Sequence, residues 1–85
     1  MTSIIERLPR VLRKRGRSRS AHYLDIDQGL FTRPVSIGAR AVGWPEHETD
    51  AINAARIAGK TDDEIRTLVV TLEAARKTAG QGGAK

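Results

Sequence analysis

A chain of 85 residues, 39% hydrophobic and 4% aromatic, can bury one small core built mainly from Ile, Leu and Val. It has no cysteine, which excludes a disulfide framework, a thiolate nucleophile and the common structural zinc sites. Fifteen Lys and Arg against ten Asp and Glu leave a net charge of +5. That excess sits in one half of the chain: residues 1–43 hold nine basic and three acidic side chains, and residues 44–85 hold six and seven. Such a surplus calls for a partner dense in negative charge, most simply a phosphate backbone bound with counterion release.

Other classes fit poorly. No run approaches the ~18 apolar residues of a membrane span. The basic start, residues 1–19, lacks the apolar centre of a secretion signal, so a cytoplasmic protein is expected. His22 and His47 are too far apart to form a short-range metal pair. Glu46, His47, Glu48 and Asp50 cluster, but acids at a helix start serve the helix dipole. No catalytic constellation, metal, cofactor or small-molecule substrate is expected, and the chain does not read as an enzyme.

In chain order, Ile4–Ile5 is a frayed lead-in or one brief strand. Leu8–Pro9 opens a short helix, since proline tolerates the first helical position. Val11 and Leu12 form its buried side, and Gly16 is placed to end it with a left-handed cap. Ser18 begins a second helix as its N-cap. Tyr23, Ile26 and Leu30 give that helix an apolar stripe, and Gly29 marks its end. Helix, glycine turn, helix within residues 9–28 is the size of a helix-turn-helix.

Pro34–Ile37 then alternates at period 2, Gly38–Arg40 reads as a tight turn, and Ala41–Trp44 as the returning strand. A third helix opens after Pro45 and stops at Gly59, with Ile52, Ala55 and Ile57 as candidate inward residues. Thr61 and Glu64 form a capping box for a last helix. Ile65, Leu68, Val69 and Leu72 follow at amphipathic spacing to about Thr78, and residues 80–85 read as a flexible tail. The expected division is a DNA-binding domain over 1–59, an amphipathic helix over 60–79 and the tail.

Three blocks carry a resemblance: Leu8, Pro9, Val11 and Leu12; Gly16, Ser18, Arg19, Ser20, Tyr23, Ile26, Gly29 and Phe31; and Pro34, Val35, Ile37, Gly38, Arg40, Ala41, Val42, Gly43 and Trp44. Over about residues 4–58 the sequence resembles the AlpA family of small phage- and prophage-associated regulators, related to excisionases and to MerR-like winged helix-turn-helix proteins. It departs from the family's usual pattern at Arg17, His22, Asp25, Asp27 and Asn53. The resemblance implies a mainly α fold with a small β-hairpin wing, a winged helix-turn-helix that binds duplex DNA. It also implies regulation of mobile-element genes, or direction of site-specific recombination. The helix beginning at Ser18 would enter the major groove, and the hairpin around Gly38–Arg40 would be the wing.

On that arrangement Arg19 can place a bidentate fork on guanine. Ser18 and Ser20 are short donors suited to phosphate at a helix N-terminus, and His22 and Tyr23 are further candidate contacts. Arg13, Lys14, Arg15 and Arg17 form the densest basic run, of the kind that positions on the backbone rather than reads bases. Arg40 at the wing tip and Arg33 beside Pro34 complete the expected surface, and Trp44 belongs to the core. The last helix needs cover for Ile65, Leu68, Val69 and Leu72, either in a homodimer through residues 61–78 or by packing on its own domain. The rival function is a protein-interaction adaptor, antirepressor- or antitoxin-like, using that helix. An RNA-binding role lacks the usual stacking aromatics.

Overall fold

The computed structural model describes residues 4–83, with side chains through Lys77. The chain enters as a two-residue strand, β1 (Ile5–Glu6), and turns at once into α1 (Leu8–Arg15). Pro9 lies in the first turn, where its missing N–H leaves no bond unmade. Gly16 closes the helix in the left-handed conformation, φ 65°, donating its N–H to the Leu12 carbonyl. Ser18 caps α2 (Arg19–Asp27), its hydroxyl accepting from the Ala21 N–H at 3.2 Å. The helix-turn-helix therefore forms where the cap residues place it.

A hairpin follows, β2 (Val35–Ser36) and β3 (Val42–Pro45), with Val35 opposite Gly43 and Ser36 opposite Val42. Its loop is closed by the Ile37 N–H donating to the Ala41 carbonyl at 2.9 Å. β1 pairs antiparallel with the other side of β3, Ile5 opposite Pro45 and Glu6 opposite Trp44, giving a sheet of order β1-β3-β2. Gly43 is what lets β1 approach. A Cβ there would stand 2.5 Å from Ile5 Cγ2 and 2.9 Å from the Glu6 carbonyl oxygen.

α3 (Glu46–Ile57) leaves β3 without a gap, and α4 (Asp62–Gly83) returns across it. The capping box at the start of α4 is reciprocal: Thr61 N–H donates to Glu64 Oε1 at 2.8 Å, and Glu64 N–H to Thr61 Oγ1 at 3.2 Å. α4 runs past the expected end near Thr78 and takes in four residues, 80–83, of the segment read as a tail. Residues 84–85 of that segment lie outside the described residues.

Val11, Leu30, Phe31, Trp44, Ile52, Ile65 and Val69 form the buried core, with Leu8, Ile26, Ala55, Leu68 and Leu72 packed against it. The apolar stripe of α4 is thus spent within the chain. Of the two covers expected for this stripe, the chain's own core supplies one: Ile65 and Val69 are buried, with Leu68 and Leu72 partly buried beside them. Ile57 also departs from expectation. It is 87% exposed, since the last turn of α3 rotates it away from Ile52.

Candidate nucleic-acid interface

α2 divides cleanly by face. Arg19, Ser20, Tyr23, Leu24, Asp27 and Gln28 are exposed, while His22, Asp25 and Ile26 turn inward. The expected apolar stripe is therefore rotated at its start: Tyr23 is 37% exposed and His22 is fully buried. One residue along a helix is a turn of about 100°, so the two cannot share a face. His22 is a core residue here, packed against Phe31 and Trp44 with ring centroids 5.0 and 4.9 Å away. It is not placed to reach a duplex.

The reason His22 can be buried is Arg15. That guanidinium donates to His22 Nδ1 at 2.8 Å and to Asp25 Oδ2 at 2.8 Å, and its Cζ lies 4.1 Å above the Phe31 ring. Arg17 completes the set, binding both oxygens of Asp25 at 3.0 and 2.9 Å. Burial, and then Arg15, push the His22 pKa down to about 4. Burial alone would raise Asp25, but the hydrogen bonds from Arg17 and Arg15 outweigh it and hold the carboxyl below its ordinary range. Asp25 therefore presents no negative charge to a duplex. It ties the turn between α1 and α2 to the inner face of α2.

The dense basic run is largely consumed inside the molecule. Arg15 is 4% exposed at its side chain, which corrects its expected place on a DNA surface. Lys14 pairs with Glu6 at 2.8 Å and Asp50 at 2.6 Å, and these two partners raise its pKa, Asp50 foremost. The Lys14 carbonyl also accepts from Asn53 Nδ2 at 3.0 Å, fastening α1 to α3. Arg17 keeps an exposed edge but spends its fork on Asp25. Within residues 1–43, the side chains of Arg7, Arg13, Arg19, Arg33 and Arg40 are exposed and have no hydrogen-bond or ion-pair partner among the described residues.

Two of those five stand at the start of α2 and in the hairpin loop. Arg19 is the first residue of α2, between the exposed Ser18 and Ser20, where the first N–H groups of the helix have no intrahelical partner. Arg40 stands in the exposed hairpin loop beside Gly38 and Ala39. That loop is shaped by Ser36 Oγ donating to the Gly38 carbonyl at 3.2 Å. Arg33 precedes the hairpin with its main chain held by α4. Its N–H donates to Glu73 at 2.8 Å and its carbonyl accepts from Arg76 at 2.7 Å.

Some of this was beyond pattern reading. Glu6 is buried and gathers Arg10 and Lys14, signalled only by its i, i+4 spacing to Arg10. Buried Glu48 is bound at both oxygens by Arg76, 28 residues away, and no local spacing announces that pair. Leu24 is exposed between Ser20 and Gln28, an apolar side chain on the outward face that no periodicity singled out.

No helix among the described residues is long and apolar enough to cross a membrane. No solved structure matches the chain. An uncharacterized protein, ORF88, of Enterobacteria phage P4 is 43% identical over 54 residues, which cover 64% of this chain and 61% of that protein. The chain thus spans about three fifths of the length of that relative. The family model described as prophage CP4-57 regulatory protein (AlpA) matches residues 4–56, from β1 through nearly all of α3. With the helix-turn-helix and the hairpin both inside that match, the chain belongs to the prophage CP4-57 regulatory protein (AlpA) family.

Proposed function

We propose that this chain is a sequence-specific, double-stranded DNA-binding regulator of a prophage or other integrated element, acting on its transcription, its excision or both. In this reading α2 enters the major groove N-terminus first. Arg19 takes a base edge, and Ser18, Ser20 and the open N–H groups of the first turn take phosphate. The hairpin is the wing, with Arg40 on the backbone or in the minor groove. The observation that carries the reading is Arg19: it is exposed, without a partner among the described residues, at an accessible, capped helix start inside a helix-turn-helix. Arg15 and Arg17, by contrast, are tied to Asp25. The adaptor alternative rests on the apolar face of α4, of which Ile65 and Val69 are already buried in the chain's own core.

Fluorescence anisotropy on labelled duplexes tests the reading, using a duplex selected by this chain from a random pool against unselected random sequence. Besides base-reading Arg19, four arginines without a partner among the described residues predict a log–log salt slope of about −3.5 to −4, at roughly −0.9 per phosphate neutralised. A flat salt response, or equal affinity for every duplex tested, would overturn it.

A further inference from the structure

The helix beyond the family match also reaches the root of the hairpin. Between α2 and β2 the chain crosses Leu30–Pro34 outside any helix or strand, and this segment leads directly into the wing. α4 holds one peptide position of it from both sides. Glu73 accepts the Arg33 N–H at 2.8 Å, and Arg76 Nη2 donates to the Arg33 carbonyl at 2.7 Å. Glu73 and Arg76 are three residues apart, so they project from one face of α4. Arg76 is itself aimed by Glu48, which is fully buried in the first turn of α3 and takes both Nε, at 2.7 Å, and Nη2. The fork therefore connects α4, α3 and the segment leading to the wing.

The wing has two other holds: β1 pairs along β3, and Trp44 Nε1 donates to the carbonyl of buried Thr32 at 2.9 Å. β2 has two residues and β3 four, and a hairpin of that size is marginal alone. On the β3 side the wing continues into the buried Trp44. On the β2 side, between buried Thr32 and the strand, the chain is held at Arg33–Pro34, where Pro34 restricts the backbone and the Arg33 main chain is gripped.

We propose that α4 is a strap that sets the pose of the wing, with Arg76 as a positioning residue that grips the Arg33 peptide from a guanidinium anchored on Glu48. The strap fixes the hairpin so that Arg40 meets the duplex backbone, and in this it rests on the duplex-binding reading above.

The test uses the full chain carrying Arg76→Lys. A lysine ammonium still neutralises buried Glu48 but cannot span both carboxylate oxygens and the Arg33 carbonyl together. Amide exchange followed by NMR should then run about tenfold faster at Arg33 and Ile37, with His22 and the other α2 amides unchanged. In a double-mutant cycle on a bound duplex, Arg40→Ala should cost about fivefold in affinity in the wild-type background and less than about twofold beside Arg76→Lys. Arg19→Ala should cost the same in both. Glu73→Ala, which leaves Glu48 untouched, should reproduce the exchange change if Arg76→Lys fails to fold. Unchanged exchange at Arg33 and Ile37, or a full Arg40 penalty beside Arg76→Lys, would overturn the strap. Absence of duplex binding by the wild type would overturn the duplex reading instead, and the exchange result alone would then decide whether α4 holds the wing.

Discussion

Acid should weaken this protein through one histidine, at a pH well above that of carboxylate titration. A guanidinium has donors and no acceptor, so Nδ1 of His22 must accept from Arg15 and the single ring hydrogen sits on Nε2. Nε2 is buried with no partner among the described residues. Protonating the ring would place a second cation beside Arg15 in the dry interior, which is why burial and Arg15 push its pKa down to about 4. In the unfolded chain the same ring titrates near 6.5. Between these values the unfolded chain takes up a proton that the folded one refuses, so stability is complete above about pH 6.5 and falls as the pH drops towards 4. The loss works out to about 0.8 kcal/mol at pH 6, about 2 kcal/mol at pH 5 and about 3 kcal/mol at pH 4. That is a large share of the roughly 5–15 kcal/mol that holds a small domain together.

Asp25 acts in the same sense at lower pH. Its carboxyl stays ionised below the usual range, so its contribution disappears only as the pH falls through that depressed value. Urea unfolding at constant ionic strength from pH 7.5 to 4.5 measures the His22 effect. His22→Asn supplies a control with an acceptor oxygen for Arg15 and nothing to titrate. It should be weaker at every pH, having lost the Phe31 and Trp44 contacts, yet show much less decline between pH 7.5 and pH 5. Wild-type stability that stays level within about 0.5 kcal/mol over that interval would refute the reasoning, as would an undiminished slope in His22→Asn.

Arg19→Ala should cost about 1–3 kcal/mol on a preferred duplex and little on random sequence, measured by anisotropy. Arg13→Ala should weaken both about equally and make the salt slope shallower by about 1. Ile65→Ala should lower unfolding stability by about 2–5 kcal/mol, because its side chain is fully buried between α4 and the rest of the core; a loss under about 0.5 kcal/mol would mean that α4 does not pack as described. Gly43→Ala should cost about 1–3 kcal/mol and speed amide exchange at Glu46, whose N–H donates to the Ile4 carbonyl at 2.7 Å beyond the β1–β3 ladder.

Features set by neighbouring residues could be read from the chain without coordinates. Pro9, Gly16, Ser18, Gly29 and the Thr61–Glu64 pair each act through a main-chain group no more than five residues away, and each falls at a helix end in the structure. The hairpin was legible for the same reason, since alternation and a short loop are local. What periodicity misplaced was the inner face of α2. A pattern of apolar residues favours Tyr23 over His22, and only the arrival of Arg15, seven residues back, makes a buried imidazole tolerable. Ile57 was misjudged because the pattern does not say where a helix leaves its neighbour. The partner of the α4 stripe is a question of tertiary packing, and periodicity is equally satisfied by a second chain or by Ile52 and Val11.

The candidate site shows the same division in electrostatic terms. A net charge counts cations without asking which are already neutralised, and here the densest stretch is the least available. Lys14, Arg15 and Arg17 all close on carboxylates at 3.0 Å or less. Their work is to orient α2: Asp25 receives Arg15 from the end of α1 and Arg17 from the turn, so two guanidiniums fix the helix about its own axis. With His22 and Asp25 locked inward, Arg19 and Ser20 have no choice but the outer face, because 3.6 residues per turn leaves them nowhere else. In the proposed duplex-binding role, the arginines bound to Asp25 thus make the exposed one useful. A side chain that must meet a base edge gains more from a helix that cannot roll than from further charge nearby.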